Sequence, residues 1–108
     1  MTGTVDVYCI RIYERTINKY GFEEIRSGFF AIEENEFSMC DDPTEDVVIK
    51  TFSKSKICYW VCECKEFIKK SKASSQYNDL QHNIKFTIKK LKIPSKKIQK
   101  QLRKDGYI

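Results

Sequence analysis

The sequence predicts an α+β fold: a small mixed β-sheet flanked by helices, with a basic helical segment at the carboxyl end. Three observations predict it. The chain has 108 residues, 41% of them hydrophobic and 13% aromatic, which fits one globular core. Runs rich in β-branched and aromatic residues, GFFAI, DVVIKTF and KICYWVCEC, fall between residues 28 and 64 and read as strands. Apolar residues at Tyr77, Leu80, Ile84, Ile88 and Leu91 step by three and four, the stripe of an amphipathic helix.

The remaining elements follow in order. Val7, Ile10, Tyr13, Ile17 and Tyr20 hold helical spacing and Gly21 suits the position past a helix end, so residues 5–20 are expected to be a helix. FEEI, GFFAI and EFSM across 22–40 read as strand material, with a turn near Glu34-Asn35. Residues 46–52 and 56–64 read as two strands joined by a short polar turn. A competing helix over 43–54 has capping chemistry in Asp42-Pro43-Thr44-Glu45, but Val47-Val48-Ile49 weighs against it. After the helix through Leu91, Pro94-Ser95 is a break, and Ile98 and Leu102 mark a second short helix ended by Gly106. The whole, 1–108, reads as a single domain: an acidic α/β region over residues 1–68, a polar connector over 69–75 and a basic helical region over 76–108.

Charge divides along the same line. Residues 1–66 hold 8 Lys/Arg against 13 Asp/Glu, and residues 67–108 hold 12 against 2. Such asymmetry points to a polyanionic partner, with nucleic acid favoured over a merely solvated helix face. The longest apolar run, Ile57 to Cys62, is six residues, too short to span a membrane. The amino terminus lacks the pattern of a secretory signal. Five cysteines, Cys9, Cys40, Cys58, Cys62 and Cys64, follow no framework spacing. They read as reduced core residues of a cytoplasmic, reducing compartment, with Cys58, Cys62 and Cys64 sharing one strand face.

If 46–52 and 56–64 form a hairpin centred between Lys54 and Ser55, Asp46 lies opposite Glu63. Facing side chains stand within about 5.5 Å, and two carboxylates there repel unless a divalent cation joins them. Lys65 shares that face and is placed to orient a metal-bound water for phosphodiester hydrolysis.

Asp46-Val-Val-Ile, a turn, and Tyr-Trp-Val-Cys-Glu63-Cys-Lys65 resemble the core of the PD-(D/E)xK nuclease superfamily, the restriction-endonuclease-like fold. Glu14 in YERTINKYGFEEIRS matches a helix glutamate of that family, and Gln76 a glutamine of its second core helix. Glu45 replaces the proline that gives the family its name. The resemblance implies a restriction-endonuclease-like core and a metal-dependent nuclease of DNA or RNA. Asp46 and Glu63 would hold Mg²⁺ or Mn²⁺, Lys65 would activate water, and Glu14 would complete the catalytic set. Lys69, Lys70, Lys72, Gln76, Lys89, Lys90, Lys96, Lys97, Lys100 and Arg103 are then the expected nucleic-acid contacts.

Residues 86–108 separately resemble a helix-turn-helix DNA-binding element. Its turn lies at Ile93-Pro94, and Lys96, Lys97, Gln99, Lys100, Gln101 and Arg103 would face DNA. Lys92 stands where that family usually has glycine and Ile88 where it usually has alanine. A third reading is a small viral or mobile-element inhibitor of a protein partner, carried by the acidic cluster Glu33, Glu34, Glu36, Asp41, Asp42 and Glu45. A homodimer is compatible with all three.

Overall fold

The structure, a computed structural model, describes residues 3–75 and 79–99. The described residues form an α+β arrangement with four strands, all antiparallel rather than mixed. They are β1 (Thr4–Asn18), β2 (Glu23–Glu33), β3 (Glu36–Cys40) and β4 (Asp79–Pro94), in the order β3-β2-β1-β4. One helix, α1 (Lys54–Ser75), joins β3 to β4 across one face of the sheet.

Three segments take the opposite secondary structure from that expected. Residues 5–20 are mainly strand. Cys9, Ile10 and Ile12 are all buried, so β1 is covered on both faces at its centre and lost the simple alternation that announces a strand. Residues 56–64 belong to α1, where Ile57, Trp60, Val61, Cys64, Phe67 and Ile68 face the sheet at helical spacing. The hairpin with 46–52 therefore does not form. Residues 79–91 of the expected helix 77–91 are strand β4. Ile84, Phe86 and Ile88 alternate toward the α1 side, and the strand pairs with β1 from Thr4↔Pro94 to Asn18↔Asp79. Extended backbone at 86–94 removes the first helix of the expected helix-turn-helix. The short helix through Leu102 and Gly106 lies outside the described residues.

Local chemistry fixes the turns. Glu34 and Asn35, both at positive φ (52° and 66°), make the two-residue connection between β2 and β3 that matches strand twist. At the β1–β2 turn, the Asn18 side-chain oxygen accepts from the Tyr20 and Phe22 amides at 2.9 and 3.0 Å, and Gly21 takes φ +84°. Ser53 caps α1, its hydroxyl accepting from the Lys56 amide at 3.3 Å.

β1 and β2 pair only from Arg11↔Phe29 outward to Ile17↔Glu23. Beyond that point segment 47–51 lies between them. Tyr8 and Thr51 exchange backbone hydrogen bonds of 2.8 and 3.1 Å, the Ile32 amide donates to the Val47 carbonyl at 2.8 Å, and the Ile49 amide donates to the Phe30 carbonyl at 2.9 Å. Lys50 is buried there, its Nζ donating to the carbonyls of Glu45 (2.6 Å) and Val48 (3.2 Å). Burial lowers its pKa, against the opposing influence of Cys9, Asp46 and Asp42.

The sheet thus has two cores. On the α1 face, Ile10, Ile12 and Phe30 pack with Ile57 and Cys64, and Phe37 stacks on Phe30 with centroids 4.9 Å apart. On the opposite face, Val7, Cys9, Phe29, Ala31 and Ile93 are covered by Val48 and Ile98. All five cysteines are free; Cys9 and Cys64 are buried, whereas Cys58 and Cys62 are exposed on α1. Cys64 turns inward because 58, 62 and 64 lie on a helix rather than on one strand face.

Two outcomes are expected. Phe30→Ala, which empties the centre of the α1 core, should cost about 3–5 kcal/mol in denaturant unfolding. Burial pushes the Cys9 and Cys64 thiols from 9.0 up to about 11. The folded chain then holds protons that the unfolded chain releases near pH 9. Each thiol's contribution, on the order of 2 kcal/mol, is full below pH 9 and lost as the pH rises to 11. Lys50 opposes this, since its lowered pKa makes stability rise toward the ordinary lysine value. The unfolding midpoint should fall between pH 9 and 11, and Cys64→Val should flatten that fall.

Candidate nucleic-acid interface

Segment 47–51 and Ile98 cover only one end of the sheet face opposite α1. Toward the other end this face is open among the described residues. Strand pairing places three rows of side chains on it: Arg11 beside Phe29 and Thr87, Tyr13 beside Ser27 and Lys85, and Arg15 beside Ile25 and Asn83. Lys89, opposite Cys9, continues the β4 column. Residues two apart on a strand repeat at roughly 6.8 Å, so Arg11, Tyr13 and Arg15 form a regular ladder.

The ladder is ordered by its own contacts. The Arg11 guanidinium lies 5.2 Å from the Tyr13 ring centroid and 5.1 Å from that of Phe29, and Nη2 donates to the Ser27 hydroxyl at 3.3 Å. Its Nε is buried without a hydrogen-bond partner. Arg15 grips one oxygen of Glu23 with Nε at 2.9 Å and Nη2 at 2.6 Å. Tyr13 remains 43% exposed and Ile25 66% exposed. Arg11, Arg15, Lys85 and Lys89 against Glu23 leave this face cationic around an aromatic ring, an arrangement that can grip phosphates and stack a base.

The expected site residues are scattered. Asp46 is exposed in the segment before 47–51. Glu63 is half-buried and Lys65 exposed on α1, where residues two apart point in nearly opposite directions. The cross-strand pair of Asp46 and Glu63, with Lys65 alongside, is therefore not formed. Among the described residues no three His, Cys, Asp or Glu are grouped to hold a metal ion. The expected placement of Asp46 opposite Glu63 for Mg²⁺ or Mn²⁺ relied on the hairpin, and Glu63 lies instead on α1. Asp42, next to that segment, has its pKa lowered by hydrogen bonds from the Thr44 hydroxyl and amide.

Glu14 does sit in a cluster, on the α1 face of β1. His82 Nε2 lies 2.7 Å from its Oε2 and Arg26 Nη1 lies 3.6 Å from its Oε1. Of the expected nucleic-acid contacts, Lys69, Lys70 and Lys72 lie exposed along the last turns of α1. Lys89 and Lys90 take opposite faces of β4, and Lys96 and Lys97 lie in a 3-10 turn after it. Gln76, Lys100 and Arg103 lie outside the described residues.

Arg11, Tyr13, Arg15, Lys85 and Thr87 do not stand out in the sequence as site residues. Their signal is the alternation in RIYER and KFTIK, visible only if both segments are read as strands. Compared with protein-family models, curated proteins and solved structures, the chain matches none. No helix among the described residues is long and apolar enough to cross a membrane.

The Arg15–Glu23 pair is exposed on both sides, 51% and 43%, and such pairs contribute at most about 1 kcal/mol. Arg15→Ala should therefore leave the thermal unfolding midpoint nearly unchanged. A large drop would mean that the outer rows of this face serve the fold rather than a ligand.

Proposed function

We propose that the chain binds single-stranded nucleic acid on the open face of its sheet. The observation that carries this reading is Tyr13, partly exposed and bordered by Arg11 and Arg15 on β1 and Lys85 on β4. An aromatic ring offers a stacking surface to an unpaired base, and the surrounding cations neutralise the phosphates on either side of it. A duplex hides its base faces, so this surface favours an unpaired strand. The charge excess of residues 67–108 supports the same partner, with Lys89 extending the cationic column. The nuclease expectation depended on a hairpin that would set Asp46 opposite Glu63, and residues 56–64 lie in α1 instead, so the open sheet face gives binding the better support.

Fluorescence anisotropy with labelled single-stranded RNA and DNA, and with a duplex control, tests the reading. Single strands should bind more tightly than duplex. Tyr13→Ala should weaken binding by about 1–3 kcal/mol, the range of base–aromatic stacking. The double variant Lys85→Ala/Lys89→Ala should reduce the slope of log affinity against log salt by roughly 0.7 for each lost phosphate contact. Equal affinity of wild type and Tyr13→Ala, or a preference for duplex, would remove the sheet face from consideration.

A further inference from the structure

β4 has one strand neighbour among the described residues, β1, so its other margin is unpaired there. The direction of its backbone groups follows from a single contact. Tyr8 exchanges both of its backbone hydrogen bonds with Thr51, on the side of β1 away from β4. Backbone groups alternate in direction along a strand, so Val7, Cys9 and Arg11 turn theirs toward β4, onto Leu91, Lys89 and Thr87. The intervening residues of β4, namely Ile84, Phe86, Ile88, Lys90 and Lys92, therefore aim their amides and carbonyls outward. That margin runs without interruption. The β1–β4 register shifts only between Ile17 and Asn18, and Pro94 stands at the end of the strand. A bulge, an internal proline and short length are devices that usually close an edge, and residues 84–92 have none of them.

The character of the margin is set by charge instead. Lys85 and Lys89 stand on the open face and Lys90 and Lys92 on the α1 face, all four exposed. Asp6 lies 3.9 Å from both Lys90 and Lys92, one carboxylate shared by two ammoniums. Ile88, in the middle of the run, is an apolar side chain 39% exposed. An extended chain laid along this margin finds its main-chain groups matched at every second residue. Its own side chains then stand about 5 Å from those of β4, the reach of a cross-strand pair.

We infer that the free margin of β4 takes up an extended acidic segment of a protein partner as an added antiparallel strand. Carboxylates of that segment face Lys85, Lys89, Lys90 and Lys92, and a β-branched apolar residue faces Ile88. A nucleic-acid strand can meet the lysines but lacks the alternating amides and carbonyls that pair with a strand edge. The inference does not rest on nucleic-acid binding by the sheet face. Lys85 and Lys89 border both surfaces, whereas Lys90 and Lys92 belong to the margin and the α1 side.

The test is NMR titration of the full chain with the peptide acetyl-Glu-Thr-Glu-Glu-Val-Thr-Val-Glu-amide. Run antiparallel to β4, it sets glutamates opposite Lys92, Lys90, Lys89 and Lys85 and a valine opposite Ile88. In the free protein the amides of Ile84, Phe86, Ile88, Lys90 and Lys92 should exchange with solvent quickly, and those of Lys85, Thr87 and Lys89 slowly. The peptide should slow the first set. Methylating the peptide nitrogens opposite Phe86, Ile88 and Lys90 should abolish binding, because those nitrogens face β4; methylating those opposite Thr87 and Lys89 should not. Lys90→Glu/Lys92→Glu should weaken binding roughly tenfold, as two attractive cross-strand pairs become repulsive. Ile88→Pro removes one outward amide and spares the ladder to β1, so it should abolish binding, with circular dichroism showing that both variants fold. No shift at millimolar peptide, unchanged affinity of the Lys90/Lys92 double variant, or shifts without protection of the outward amides would overturn the inference. Protection of the same amides by a single-stranded oligonucleotide, or by self-association of the chain without peptide, would overturn it as well.

Discussion

Four backbone hydrogen bonds at the point where β1 and β2 part company govern the architecture. Those of Tyr8 with Thr51, Ile32 with Val47 and Phe30 with Ile49 fill a gap that would otherwise leave buried amides and carbonyls without partners, a cost of about 1–3 kcal/mol for each. The inserted segment also delivers Val48 to the face opposite α1, so one end of the sheet is covered on both sides. Because the segment is short, it cannot cover the rest. The open area around Tyr13 is therefore a geometric result of where the insertion stops.

Lys50 shows how closely that insertion is constrained. A buried ammonium is tolerated because it gathers the carbonyls of Glu45 and Val48, which a turn of this tightness leaves pointing inward. Its charge is carried at a cost that shows in its lowered pKa. An apolar residue of the same length would relieve that cost but take the Lys50 donor from both carbonyls, leaving that of Glu45 with only the Val48 amide at 3.1 Å.

Much of the local structure is legible in the sequence, and the errors have a common physical origin. The Glu34-Asn35 turn and the strand GFFAI follow from turn chemistry and β-branched or aromatic content. Ile84 and Ile88 are four apart, which satisfies both a helical period and a strand period, and only pairing with β1 decides between them. Residues 56–64 carry the opposite ambiguity: Ile57, Val61, Cys64 and Ile68 hold helical spacing, yet their composition favours strand. The candidate site inherits these errors. A cross-strand pair of Asp46 and Glu63 depends on a hairpin, whereas Arg11, Tyr13 and Arg15 gain meaning only once β1 is a strand. Glu14 stands out in the sequence, but its neighbours Arg26 and His82 come from two other strands that no local pattern connects.

The position of β4 has a consequence for how the molecule behaves among its own copies. Among the described residues it is a long strand at the margin of the sheet, and a strand margin of that length is a template on which another chain can add a strand. Lys85, Lys89, Lys90 and Lys92 punctuate it on both faces, so two such margins brought together would set cation against cation along their length. The lysines thereby act as gatekeepers against fibre growth, and any modification that neutralised them would remove that protection from a fold otherwise built to be extended.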